Sequence, residues 1–231
     1  MSEDKKFEDW HIEILRLLAY AKHIRDKYNS VCHDDPPYSV DDYLEIIQQF
    51  TSTEIDLREM DWGSKGYIRG MCLPFEGNKA VIRVPKFKDD VASGGATECE
   101  RRYITLKEIS HLVVDEEDSY VDDCLALVNT LVFNSSYAVL DELDKDGRSD
   151  VFYGKIFAME LLFPAELRDG VIEEISKGLS TYDAAKRFMI PEKELIWFLS
   201  DKIHPALQYF RKEGTSMENI YLKKIHPEIE G

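Results

Sequence analysis

Apolar residues recur at three- and four-residue steps along residues 7–28, at Trp10, Ile14, Leu17, Leu18, Ala21 and Ile24, which predicts an amphipathic helix. The pattern breaks at Pro36-Pro37. It restarts after Ser39, a residue suited to capping a helix whose first turn is acidic. Leu44, Ile47 and Phe50 are expected to face the core from this second helix. The period then shortens. "EIDLREM" alternates apolar and polar residues, and "KGYIRGMCLPF" and "KAVIRVPKF" flank "EGN" as the arms of a hairpin. A polar, glycine-bearing loop follows in "KDDVASGGATECE", then a helix from about Glu100 to Val114. Beyond an acidic interruption, "DEEDSYVDDC", the spacing of Leu125, Val128, Leu131 and Val132 predicts another helix over about 122–143, closed by a turn at Gly147. "VFYGKIFAMELLFPAELRDGVIEEISKG" is helical with a break or bend at Pro164. The stretch after it reads as two or three short helices that turn near Ile190-Pro191, and a poorly ordered tail is expected from about Gly214. No internal repeat or low-complexity block interrupts this order.

Composition narrows the class. The chain has 231 residues, 44% apolar and 32% charged, enough for one sizeable domain with an appendage or two small ones. It contains no run of eighteen apolar residues, so no membrane span is expected. The N-terminus has no apolar targeting stretch, so the expected location is cytoplasmic. Cys32, Cys72, Cys99 and Cys124 show no C-x-x-C spacing, which argues against a zinc knuckle or a redox motif. Lysine and arginine number 29 against 45 acids, a formal charge of -16. Such a chain is repelled by phosphate backbones and anionic membranes, and its basic residues occur only as isolated pairs. Nucleic-acid binding is therefore not expected. The excess acid serves solubility or a partner with a basic surface.

One helix carries candidate chemistry. "RRYITLKEISHLVVD", Arg101 to Asp115, has the cadence of a zinc-protease helix, whose signature is H-E-x-x-H. This chain writes Lys107-Glu108-Ile109-Ser110-His111. At about 100° per residue, Lys107, Glu108 and His111 fall on one side of the helix and Ile109 faces away. Zinc takes nitrogen, sulfur or carboxylate oxygen, and a catalytic zinc usually has three protein ligands. A protonated lysine has three donors and no lone pair. Lys107 at the first ligand position therefore opposes a metal. Its ammonium is expected either to replace the metal's charge by approaching a carboxylate such as Asp150 or Glu108, or to extend to solvent at the rim of the cleft.

Three stretches together resemble the ImmA/IrrE family of metallopeptidases. "RRYITLKEISHLVVD" resembles its R-F-T-x-A-H-E-x-G-H signature, "FAMELLFP" (Phe157 to Pro164) its F-A-A-E-L-L-M-P stretch, and "TYDAAKRFMIPEKELIWFL" its A-x-R-F-x-V-S/P segment. "PYSVDDYLEII" and "GYIRGMCL" with "AVIRVP" fit the family's upstream helix and hairpin, so the resemblance spans roughly residues 10–205. It implies an α+β fold: a zincin-like core of helices and a small antiparallel sheet over 7–168, then a short helix-turn-helix-like segment over 169–213 packed on it, and a tail over 214–231. It implies Glu108 as general base and His111 as a zinc ligand. The family's third ligand, about six residues before the F-A, falls at Val151, with Asp150 beside it as replacement. Glu142, Asp146 and Glu160 are weaker substitutes.

Members of that family often cleave or inactivate helix-turn-helix repressors, beside phage and mobile-element genes or as stress regulators, and some relatives sit in toxin–antitoxin-like operons. The resemblance, read with Lys107 and Val151, implies a catalytically impaired peptidase homologue. It would bind a regulatory protein partner, a repressor or an antitoxin, and carry no cofactor. The alternatives are an active zinc endopeptidase with a rebuilt ligand set and a DNA-associated regulator. Zincin-like peptidases hold substrates by adding a strand to their small sheet. Here the edge is expected within Gly66–Val84, with Ile82 as a test position and Lys88–Glu98 as cover.

Overall fold

The computed structural model describes residues 3–60, 70–75, 78–87, 97–114, 149–201 and 203–214. Among them are eight helices and one three-stranded sheet, an α+β architecture. The order is α1 (Glu3–Val31), α2 (Val40–Thr51), β1 (Glu54–Met60), β2 (Met71–Phe75), β3 (Lys79–Pro85), α3 (Glu98–Val114), α4 (Ser149–Leu162), α5 (Ala165–Ser176), α6 (Thr181–Phe188), α7 (Glu192–Phe198) and α8 (Ile203–Gly214). Contacts divide the chain into two compact units, Val40–Lys155 and Met1–Ser39 with Ile156–Gly231. The expected helix over 122–143, most of the loop before α3, and the tail past Gly214 lie outside the described residues. No described helix is long and apolar enough to cross a membrane.

In the Val40–Lys155 unit the strand order is β1-β3-β2. The sequence predicts an antiparallel sheet, but the sheet is mixed. β2 and β3 pair antiparallel, with Cys72 opposite Ile82 and Leu73 opposite Val81. β1 pairs parallel to β3, with Ile55 opposite Ala80 and Leu57 opposite Ile82. Two backbone bonds at the strand ends show why. The Glu54 N–H donates to the Asn78 carbonyl at 2.8 Å where both strands begin, and the Lys86 N–H donates to the Met60 carbonyl at 2.9 Å where both end. β3 is thereby the central strand. Ile82, taken from the sequence as an edge position, is fully buried and paired on both sides. Among the described residues the outer strands of this sheet are β1 and β2.

β3 buries Ala80, Ile82 and Val84 by alternation up to its end, where Pro85 is buried as well, and β2 adds Met71 and Leu73. Helix α3 packs on β2 and β3, and α2 packs on α3 and β1. Tyr43, Ile46 and Ile47 are the buried residues of α2, whereas Leu44 and Phe50, expected to face the core, are half-buried. Tyr43 has an intermediate hydropathy that pattern reading passed over, and it rotates the buried stripe. Helix α3 starts two residues earlier than the pattern suggests because of a reciprocal cap. Thr97 Oγ1 accepts from the Glu100 N–H at 3.2 Å, and Glu100 Oε2 accepts from the Thr97 N–H at 2.9 Å. Arg101 then ties this first turn to β1 through Glu59 at 2.6 Å.

The other unit is helical. α1 buries Ile14, Leu17, Leu18, Ala21 and Ile24 of the stripe expected from its periodicity, with Tyr28 one turn beyond it, and α8 packs against this helix. The stretch after α1 folds back on it: the Ser39 N–H donates to Tyr28 Oη at 3.0 Å and Tyr38 stacks edge-on to Tyr28. The Arg25 guanidinium lies 4.2 Å from the centre of the Tyr38 ring. Pro164 ends α4 and caps α5, as its lack of an N–H dictates. Ser180 caps α6 by accepting from the Asp183 N–H at 3.0 Å, and Met189 closes that helix in the left-handed region at φ 49°. α6 packs on α5 and α7, and α7 on α8.

Candidate functional site

Helix α3 carries Lys107, Glu108 and His111 within one turn, as the spacing requires. Ile109 on the opposite side is fully buried. Glu108 is not the solvated carboxylate of an ordinary helix surface. Its side chain keeps 6% of its exposure, against 22% for Lys107. The Lys107 ammonium donates to Oε1 of Glu108 at 2.8 Å. Of the two fates open to Lys107 on the sequence, pairing with a carboxylate is the one observed. Neighbours one apart on a helix do not normally face each other, so this pair requires the long lysine stem to fold across the helix surface. His111 is half-buried one turn further on.

Two glycines enclose the pair. A Cβ built on Gly70, just before β2, would stand 2.6 Å from Glu108 Cγ and 2.6 Å from Ile104 Cγ2. Only a residue without a side chain lets this backbone lie over the Glu108 carboxylate. Within α4, a Cβ at Gly154 would stand 3.0 Å from Ser110 Oγ and 3.1 Å from both Lys107 Cγ and the Lys107 carbonyl. Ser110 is itself buried and donates back to that carbonyl at 2.6 Å. Gly154 thus marks where α4 and α3 cross at close range. Asp150 and Val151 lie four and three positions before Gly154 on the same face of α4. Position 151, which the resemblance implies as a third ligand, is therefore about one turn, ~5.4 Å along the axis of α4, from Gly154. The side chains of both residues lie outside the described ones. Pattern reading had singled out neither glycine, although a glycine inside a helix or beside a strand is a known mark of close backbone approach.

The substitute ligands fare differently. Glu142 and Asp146 lie outside the described residues. Glu160 is buried in the helical unit and committed elsewhere. Its Oε2 lies 2.9 Å from Arg168 Nη2, and its Oε1 is bonded by Arg211 Nη2. Arg168 is fully buried, donates from Nε to the Phe163 carbonyl at 3.0 Å, and lies 4.2 Å from the centre of the Phe198 ring. Burial brings its pKa down to about 10, with the Glu160 carboxylate opposing the fall. The Glu of "FAMELLFP" therefore joins α4 to α5 and α8, and no local pattern signals it because its partners are eight and fifty-one residues away.

Lys107 at the first position of the signature opposes a zinc ion. Lys107 has no lone pair while protonated, and its charge is already neutralised by the carboxylate beside it. Among the described residues no three His, Cys, Asp or Glu side chains converge as ligands. An open groove of about 410 Å³ lies at the end of α2, lined by Glu45, Gln48, Gln49, Ser52, Thr53 and Glu54, and includes none of the motif residues.

No protein-family model matches the chain, and neither does any curated protein or solved structure.

Proposed function

We propose that this chain is an ImmA/IrrE-like protein with a zincin-like core whose catalytic centre has been converted to an ion pair, and that it acts by binding a regulatory protein partner, a repressor or an antitoxin, without cutting it. The observation that carries this reading is the 2.8 Å contact between Lys107 and Glu108. The ammonium stands at the first ligand position of the signature and places one positive charge against the carboxylate that would otherwise serve as base. A carboxylate held by an ammonium, with no metal to acidify a water, is a poor activator of hydrolysis. The close approach of α4 to Lys107 and Ser110 at Gly154 is consistent with the same reading.

Zinc titration by calorimetry tests it. The wild-type chain, dialysed against a mild chelator, is expected to hold no stoichiometric zinc. Lys107→His alone is expected to bind weakly, and Lys107→His with Val151→Glu, which restores three ligands, tightly. About one zinc per wild-type chain would favour an active peptidase instead. A double variant that is folded but indifferent to zinc would remove the metallopeptidase ancestry of the site.

A further inference from the structure

Two exposed apolar side chains lie on one pair of adjoining helices. Tyr182 of α6 keeps 61% of its exposure and Ile196 of α7 keeps 51%. Single exposed apolar residues are ordinary on a protein surface, but these two share a fixed frame. Beneath them Ala184, Ala185 and Phe188 of α6 and Leu195 and Phe198 of α7 are buried, so each helix is anchored by its inner side. The Ser180 cap and the left-handed Met189 fix the two ends of α6. The Thr181 hydroxyl donates to Glu192 Oε1 and joins the first turns of the two helices. Tyr182 adjoins Thr181, and Ile196 stands one turn beyond Glu192 on the same side of α7. Trp197, next to Ile196, is half-buried.

Each of the two has an exposed lysine one turn away on its own helix. Lys186 follows Tyr182 by four positions, and Lys193 precedes Ile196 by three. The acids around these lysines are engaged elsewhere. Asp183 accepts from the Ser180 hydroxyl at 2.6 Å, Glu192 accepts from Thr181, and Glu174 of α5 pairs with Arg187 at 2.7 Å. Glu194 is half-buried and also engaged. The outer side of α6 and α7 thus presents two apolar contacts and two ammonium groups, on a chain whose formal charge is -16. We propose that this side docks an acidic amphipathic segment of a partner protein, which sets an apolar side chain on Tyr182 and Ile196 and carboxylates against Lys186 and Lys193. This rests on the reading of the chain as a partner-binding protein and gives that partner a surface and a chemistry. The apolar contact supplies burial, and the charges fix the register of the segment. The fixed frame lowers the ordering cost of docking. Duplex DNA suits the same side less, because the carboxylates of Asp183 and Glu192 stand among the lysines and the net charge repels phosphate.

The test uses the full chain with isoleucine methyl groups labelled for nuclear magnetic resonance. The probe is the peptide acetyl-Glu-Glu-Leu-Phe-Glu-Leu-Leu-Glu-Glu-amide, and its counterpart carries Gln in place of every Glu. Titration with the acidic peptide is expected to shift the Ile196 methyl resonance saturably and to leave that of the buried Ile190 in place. The neutral counterpart is expected to bind about five- to tenfold more weakly, and the affinity of the acidic peptide is expected to fall as salt rises. By calorimetry, Lys186→Gln with Lys193→Gln should weaken the acidic peptide by the same factor, and Tyr182→Ser with Ile196→Ser by about tenfold or more. All four side chains are exposed, and circular dichroism checks that the variants are folded; the comparison of the two peptides on the wild-type chain needs no variant. The proposal is overturned if the acidic peptide leaves Ile196 unshifted, if the neutral peptide binds as tightly, if both folded variants keep wild-type affinity, or if random duplex DNA shifts Ile196 at lower concentration than the peptide. The zinc response of the histidine variants is read on α3 and does not involve α6 or α7, so a failure here is distinguishable from a failure of the proposed function.

Discussion

Lys107→Met is the most informative single change for the stability of the site. Methionine fills much of the space of the lysine stem but leaves the Glu108 carboxylate, 6% exposed, without its cation. Removing one partner of a fully buried pair costs about 3–5 kcal/mol. The 22% exposure of Lys107 shows that water reaches one side of this pair, so about 2–3 kcal/mol is expected here. The reverse change, Glu108→Met, strands the more exposed partner. The freed ammonium swings to solvent, and the loss is about 1 kcal/mol. Changing both residues to methionine replaces the pair by apolar groups of similar shape and is expected to fall within about 1 kcal/mol of wild type. The coupling in this double-mutant cycle is then about 2–4 kcal/mol. Urea unfolding followed by circular dichroism, with hydrogen exchange of the α3 amides, reads all four proteins. With a slope of about 2 kcal/mol per molar, Lys107→Met lowers the midpoint by roughly 1–1.5 M. The reasoning fails if Lys107→Met is as stable as wild type, or if the double variant is no more stable than Lys107→Met.

Gly70→Ala is expected to cost about 1–3 kcal/mol, because its Cβ meets Glu108 and Ile104 at 2.6 Å. Gly170→Ala, in the interior of α5 with nothing within 4 Å of its Cβ, should instead raise stability by about 0.5–1 kcal/mol; equal effects at the two sites in urea unfolding would show that close approach is not the cause. Glu160→Ala leaves the fully buried Arg168 without its carboxylate and is expected to cost about 3–5 kcal/mol, so a loss under about 1 kcal/mol would mean that the aromatic rings alone hold the guanidinium. Burial pushes the Cys99 thiol above its ordinary pKa, with Arg102 pulling it partly back. A raised thiol pKa means less thiolate in the folded chain than in the unfolded one at pH 8. Alkylation of Cys99 by iodoacetamide, followed by peptide mass spectrometry, should therefore be slower in buffer than in urea, and equal rates would contradict that burial.

Much of the secondary structure is legible in the sequence, because its causes are local. The stripe from Ile14 to Ile24 needs only the helical period, and "EIDLREM" occupies β1 from end to end. Thr97 with Glu100 and Ser180 with Asp183 cap their helices across three residues, a spacing visible in the sequence. The signature helix and the shared side of Lys107, Glu108 and His111 follow from the same arithmetic. Tertiary structure decided the rest. The direction of β1 against β3 depends on bonds from Glu54 and Lys86 to residues twenty-four and twenty-six positions away, and with it the central place of Ile82. The buried state of Glu108 depends on the backbone at Gly70, which no pattern along α3 encodes. The meeting of Lys107 with Gly154 joins segments forty-seven residues apart. Periodicity states which side of an element is apolar. It does not state which backbone closes over a charged group on that side, and here that closure turns a surface carboxylate into a buried ion pair.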